Sequence, residues 1–187
     1  MSARLQIHST SLPGVTRIER MSISDHRGFL QRLFCNKELS ISGFTKPIAQ
    51  INRTLTRQRG AIRGMHFQRP PHAETKMVSC LRGEVFDVAV DLRQGSPTFL
   101  RWHGEILSES NNFSLIIPEG FAHGFQTLSA DCELLYCHTA AYAPQAEDGV
   151  NARDETLAIA WPIAITEISD RDAALPYVTA GYNGVHP

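Results

Sequence analysis

Two short segments hold the side chains best suited to move a proton or bind a metal. One runs Ile62-Arg63-Gly64-Met65-His66-Phe67-Gln68, the other Pro118-Glu119-Gly120-Phe121-Ala122-His123-Gly124-Phe125. Imidazole, with an ordinary pKa near ~6.5, is suited to proton abstraction at neutral pH. A zinc or iron site asks for more, namely three or four strong donors at short range. The residue two beyond His66 is Gln68, and Glu74 is a poor match for a missing ligand. The expected site therefore uses organic acid–base chemistry, with no metal and no cofactor. Singly, each residue also has a plain reading. His123 between two phenylalanines suits a hydrogen-bonded core histidine. Arg63 and Lys76 suit surface charges, Tyr136 a half-buried strand aromatic, and Asp172 a helix cap or solvated carboxylate.

The elements that must position these residues are short strands. Stretches rich in β-branched and aromatic residues occupy 28–34, 61–67, 76–81, 84–92, 101–107, 113–117 and 133–138. Turn-forming pieces separate them, among them Arg69-Pro70-Pro71-His72, Arg82-Gly83, Gln94-Gly95-Ser96-Pro97 and Glu109-Ser110-Asn111-Asn112. Many short strands at close spacing predict a sandwich or barrel rather than alternating strands and helices. Short helices are predicted over 36–43 and, after a Ser169 cap, over 170–174. With no repeat, low-complexity segment or linker, the reading is one all-β, jelly-roll domain over 1–187 with short terminal helices.

Composition narrows the function. The 187 residues are 42% hydrophobic, enough to bury a real core. Eighteen Lys and Arg against nineteen Asp and Glu give a formal net charge of −1. That offers no field for nucleic acid and no polybasic membrane patch, though a few local arginines could still grip a small anion. The N-terminal residues lack the apolar core of a signal peptide, and no apolar run is long enough to span a bilayer, so a cytoplasmic enzyme is expected. Cys35, Cys80, Cys132 and Cys137 form no C-x-x-C pair. Cys132 and Cys137 could in principle bond, but reduced packing residues are expected.

From 25 to 176 the motifs fall in a familiar order: Asp25-His26-Arg27-Gly28-Phe29, the His66 segment, Lys76-Met77-Val78, Arg82 through Asp91, and Gly95-Ser96-Pro97-Thr98-Phe99. The His123 segment, Tyr142-Ala143-Pro144 and Trp161-Pro162 follow. The sequence resembles the dTDP-4-dehydrorhamnose 3,5-epimerase family, whose fold is a cupin-type jelly-roll barrel without a metal. The Pro-x-Gly-x-x-His pattern around His123 is shared with metal-binding cupins, but their ligand set is incomplete here. The resemblance implies an isomerase acting on a nucleoside-diphosphate keto-deoxysugar at carbon 3, carbon 5 or both, in deoxysugar biosynthesis. It implies His66 as base, Asp172 as the partner that holds its tautomer, and Tyr136 as acid on the opposite face. Arg27, Phe29, Gln50, Asn52, Arg63, Lys76, His123 and Tyr142 would bind substrate. Arg27 and Phe29 would be contributed by an exchanged N-terminal strand of a homodimer.

The departures from the family cluster around nucleotide recognition. Cys137 replaces the usual lysine after the tyrosine, Ala141 a stacking tyrosine, and Arg32 a glutamate. The run Asn151-Ala152-Arg153-Asp154 replaces one that carries tryptophan. The expectation is that diphosphate contacts carry more of the affinity and that base discrimination loosens. Three other readings stay open: a nucleotide-sugar ketoisomerase on the same barrel, a metal cupin, and a non-catalytic sugar-binding cupin.

Overall fold

The computed structural model describes residues 3–186; Met1, Ser2 and Pro187 of the expected 1–187 domain lie outside the described residues. The chain begins with β1 (Leu5–Ser9), β2 (Thr16–Arg20), β3 (Ser22–Asp25), β4 (Gly28–Gln31) and α1 (Asn36–Leu39). The body follows with β5 (Gln50–Thr56), β6 (Ala61–Gln68), β7 (Lys76–Arg82), β8 (Glu84–Asp91) and β9 (Trp102–Ser108). It closes with β10 (Phe113–Ile117), β11 (Phe121–Thr127), β12 (Cys132–His138), β13 (Glu147–Gly149), β14 (Glu167–Ile168) and α2 (Asp170–Ala173).

Two sheets form the expected all-β jelly roll. The first has the order β1-β2-β10-β7-β12-β5, the second β13-β6-β11-β8-β9, with β14 joining β6 in parallel. Alternation along the strands sorts side chains into layers. Val78 and Cys80 of β7, Leu115 and Ile117 of β10, Phe121 and Phe125 of β11, and Leu134 and Tyr136 of β12 meet Val85 and Ala89 of β8 between the sheets. Outside the first sheet, Met77, Ile116 and Cys137 pack on Leu39 and Phe44 around α1. Outside the second, Ile62, Met65, Val88 and Val90 are covered by Leu157, Trp161, Ile165 and their neighbours in the C-terminal segment. All four cysteines are free, and three of them are buried in these layers.

Strands also form where no clean pattern announced them. β5 is a polar edge strand, and β11 is buried along its whole length, so neither shows a two-residue alternation. The expected 28–34 strand stops at Gln31 because β3 and β4 make a separate two-stranded hairpin. This hairpin stands away from the sandwich, with Phe29 and Leu30 73% and 72% exposed.

One irregularity matters more than the rest. Where β6 pairs with β11, His66 sits opposite His123 and Arg63 opposite Phe125. Three steps along β6 therefore face two along β11, which is a β-bulge at Gly64 and Met65. In strict alternation Arg63 and His66 would point to opposite faces; the extra residue turns both toward the space between the sheets while Met65 enters the outer core. Gly64 makes the bulge possible. Its φ is +123°, and a Cβ there would lie 2.5 Å from Gly124 Cα and 2.7 Å from the His123 carbonyl oxygen. Gly64→Ala is expected to lower the unfolding free energy by about 2–4 kcal/mol, from backbone strain plus overpacking. Gly181→Ala, whose Cβ would meet nothing within 4 Å, should be near neutral. Urea melts of the two variants test this; equal midpoints would remove the bulge from its central place.

Candidate active site

Between the sheets, at one end, lies a cavity of about 650 Å³. The second sheet contributes Arg63 and His66 from β6 and His123 from β11; the first contributes Asn52 and Thr54 from β5, Lys76 from β7, and Tyr136 and His138 from β12. The segment from Ser169 through Asp172 closes one side. The cavity thus has two walls that carry different chemistry.

His66, 24% exposed, donates from Nε2–H to Asp172 Oδ1 at 2.8 Å. That bond selects the tautomer whose Nδ1 keeps its lone pair. Asp172 is itself held from three directions. Its Oδ2 accepts the Gly64 amide at 3.0 Å, its own backbone N–H is capped by Ser169 Oγ at 3.2 Å, and Arg171 Nε lies 3.4 Å from Oδ1. Burial disfavours the Asp172 charge, but the His66 hydrogen bond, the Gly64 amide and the nearby cations outweigh it, holding the carboxyl at about 2. The Arg171 guanidinium also comes within 3.3 Å of His66 Nε2 and pairs with Glu147 at 3.1 Å.

Beside this pair stands a second. His123 Nε2 bonds Asp87 Oδ2 at 2.9 Å, and Asp87 is fully buried in β8. On the facing wall, Tyr136 meets His123 edge to face, with centroids 6.0 Å apart, and is stacked on His138 at 5.8 Å. Burial foremost, then the Asp87 charge, pushes the Tyr136 phenol well above its ordinary range, so it keeps its proton. Lys76 is nearly buried and lies 3.0 Å from Glu74, whose other oxygen accepts from His138 Nδ1–H at 2.8 Å. Burial opposes the Glu74 charge, yet Lys76 and His138 hold its carboxyl at about 2. Arg63 and Arg57 line the cavity and make no side-chain hydrogen bond or ion pair among the described residues.

Of the expected site residues, His66, Tyr136, Asp172, Asn52, Arg63, Lys76, His123 and Tyr142 line this one cavity. Gln50 sits just outside, bonding Asn52 at 3.1 Å and accepting the Tyr142 amide at 3.0 Å. Arg27 and Phe29 lie on the hairpin and do not reach the cavity of their own chain. Arg32 is tied to Glu38, and Arg153 does not line the cavity. Gln68 is turned into the neighbouring loops, donating to the carbonyls of His72 and Ala141 and accepting the Ala143 amide at 2.6 Å. No three His, Cys, Asp or Glu side chains converge as a metal set among the described residues. Sequence reasoning missed Asp87, His138, Glu147 and Arg171, and dismissed Glu74 as a failed metal ligand. A signal existed for Asp87: it is a carboxylate on the inward side of the otherwise apolar run Val85-Phe86-Asp87-Val88-Ala89-Val90.

The architecture is that of a cupin-type jelly-roll enzyme, with the candidate site between the sheets. The chain belongs to the dTDP-4-dehydrorhamnose 3,5-epimerase family, whose model matches residues 9–180. It is 42% identical over 169 residues to the dTDP-4-dehydrorhamnose 3,5-epimerase of Salmonella typhimurium, covering 89% of this chain and 92% of that one. A solved relative is the dTDP-6-deoxy-D-glucose-3,5-epimerase of Legionella pneumophila Philadelphia 1 in complex with dTDP-4-keto-L-rhamnose. It superposes with a TM-score of 0.90 at 38% identity, over 98% of this chain and 99% of that chain. A 3′-monoepimerase from Streptomyces bikiniensis in complex with dTDP-quinovose has a TM-score of 0.84 at 36% identity, covering 91% and 86%. The protein is accordingly an isomerase, of the epimerase class. No helix among the described residues is long and apolar enough to cross a membrane.

The environment of Asp172 makes the fold sensitive to acid in a defined window. Its folded pKa of about 2 lies below the ordinary 3.8, so the stabilisation is complete above about 4 and disappears as pH falls toward 2. The side chain is only 4% exposed, and a shift of this size corresponds to about 2 kcal/mol. Unfolding free energy should therefore fall between pH 4 and pH 2, and Asp172→Asn should fall by about 2 kcal/mol less over the same interval. Urea titrations at stepped pH measure both slopes; parallel curves would show that Asp172 is not ionised in the fold as described.

Proposed function

We propose that this protein inverts carbon 3, carbon 5 or both of a nucleoside-diphosphate 4-keto-6-deoxyhexose in cytoplasmic deoxysugar biosynthesis, as one domain without a cofactor. The observation that carries the reading is the division of labour across the cavity. A histidine oriented by a buried aspartate faces a protonated tyrosine on the opposite sheet. Inversion needs a base on one face of the sugar and a proton donor on the other, whereas a same-face shuttle needs only the base.

The ketone at carbon 4 acidifies the hydrogens on carbons 3 and 5, because the carbanion left behind delocalises into an enolate. His66 Nδ1 takes the proton, and Asp172 stabilises the imidazolium that forms. Lys76, a cation held in the wall by Glu74, stabilises the enolate oxygen. Tyr136 returns a proton from the other face. His123 and Asn52 shape the pocket, while Arg63 and Arg57 at its wall are free to hold the diphosphate. Relatives bound to dTDP sugars fit this substrate class, and they include both 3,5-epimerases and a 3′-monoepimerase.

The working unit in this reading is a homodimer. The β3–β4 hairpin exposes Ile23, Phe29 and Leu30, and the first sheet ends at β5, where Ile51 is also exposed. Exchange of the hairpin between subunits satisfies both surfaces. It brings Arg27 and Phe29 to the partner's cavity, where Phe29 offers a stacking face for the nucleotide base.

Incubation with thymidine-diphosphate 4-keto-6-deoxyglucose in deuterated water tests the chemistry. His66→Ala should lose wash-in of deuterium beside the ketone by roughly 100-fold or more. Tyr136→Phe should suppress inversion more than wash-in, because proton removal needs only the base. Wild-type exchange in His66→Ala would sink the assignment.

A further inference from the structure

Three polar groups in the first sheet's wall are joined in a way the proton-transfer scheme does not require. Glu74 accepts Lys76 Nζ at 3.0 Å on one oxygen and His138 Nδ1 at 2.8 Å on the other. Lys76 and His138 are direct cross-strand neighbours, paired between β7 and β12. His138 also lies two residues beyond Tyr136 on the same face of β12, with the rings nearly parallel, 14° apart and centroids 5.8 Å apart. The same carboxylate therefore fixes the cation directly and the tyrosine through the stacked imidazole.

The arrangement is hard to explain as a stabilising device. Replacing a buried ion pair by apolar groups of similar volume is often neutral or stabilising, so an apolar trio would serve the wall about as well. His138 Nε2 is buried with no hydrogen-bond partner among the described residues, a further cost to the fold. Polar groups kept in a cavity wall at the expense of stability mark function. The distance between enolate-stabilising cation and proton donor is the quantity such a link would control, and a misplacement of ~1 Å can cost about a hundredfold in rate.

We propose that Glu74 and His138 are positioning residues that set Lys76 and Tyr136 relative to each other, His138 by stacking on the tyrosine ring and Glu74 by holding both cation and imidazole. This rests on the roles given above to Lys76 and Tyr136. Neither residue exchanges a proton with the sugar.

The test compares two rates in one sample, so that the fraction of folded enzyme cancels. With thymidine-diphosphate 4-keto-6-deoxyglucose in deuterated water, the ratio of inverted product to deuterated, uninverted sugar reports how often Tyr136 captures the enolate. His138→Ala should lower that ratio about tenfold or more, with KM changed less than about threefold. His138→Phe, which restores a stacking ring without the link to Glu74, should recover part of the ratio. Glu74→Gln should slow wash-in itself about tenfold, measured per folded protein by circular dichroism, because Lys76 loses its anchor. An unchanged ratio in His138→Ala, no recovery in His138→Phe, or wild-type wash-in in Glu74→Gln overturns the proposal. Absence of wash-in and inversion in the wild-type protein would instead overturn the underlying epimerase reading.

Discussion

The site depends on one backbone constraint, the extra residue in β6 at Gly64 and Met65. A strand delivers every second side chain to a given face, so Arg63 and His66 cannot share a wall unless the count is broken between them. The bulge breaks it, and the glycine permits the close passage of β6 over Gly124 of β11. What fixes the bulge is also what orients His66, the base of the proposed reaction. Asp172 accepts the Gly64 amide with one oxygen and His66 with the other, so a single carboxylate ties the irregular backbone to the imidazole. The cap from Ser169 and the short helix α2 then locate that carboxylate. Fold, imidazole geometry and tautomer are settled by the same few bonds.

A shared electrostatic pattern runs through the cavity. Three acids in or behind its walls are committed to specific partners: Asp172 to His66, Asp87 to His123, Glu74 to Lys76 and His138. Desolvation takes back part of what such pairs contribute, and for Asp172 the balance still favours the charged carboxylate. Their effect is directional. They decide which ring nitrogen carries a proton, and they keep a cation in a wall that would otherwise reject it. The phenol of Tyr136, buried among these groups, stays protonated because burial and the Asp87 charge outweigh the opposing pull of Arg63.

Much of this was legible in the sequence, and for identifiable reasons. The strands that alternate or end in clear turns, such as β7, β8 and β10, were readable within a residue or two. β5 and β11 were not, because an exposed polar edge and a wholly buried strand both lack the two-residue period. His66, Tyr136 and Asp172, which line one cavity, were singled out through motif resemblance, and nothing in local spacing joins positions 66, 136 and 172. Glu74 illustrates the limit. Weighed as a possible metal ligand it fails, while its actual contacts, to a neighbour two residues away and to a histidine 64 positions on, depend on cross-strand register.

The hairpin of β3 and β4 follows a different logic from the rest of the chain. A two-stranded ribbon is at best marginally stable alone, and this one buries almost nothing against its own body. Yet it carries Phe29 and Leu30 fully outward, which a lone subunit would gain nothing by displaying. Its exposed apolar side chains and the open edge at β5 are complementary liabilities, and in a two-fold exchange each would cancel the other twice over. In the reading proposed above, one chain supplies the groups that act on the sugar, and the hairpin of a second would bring Phe29 as a platform for the nucleotide base.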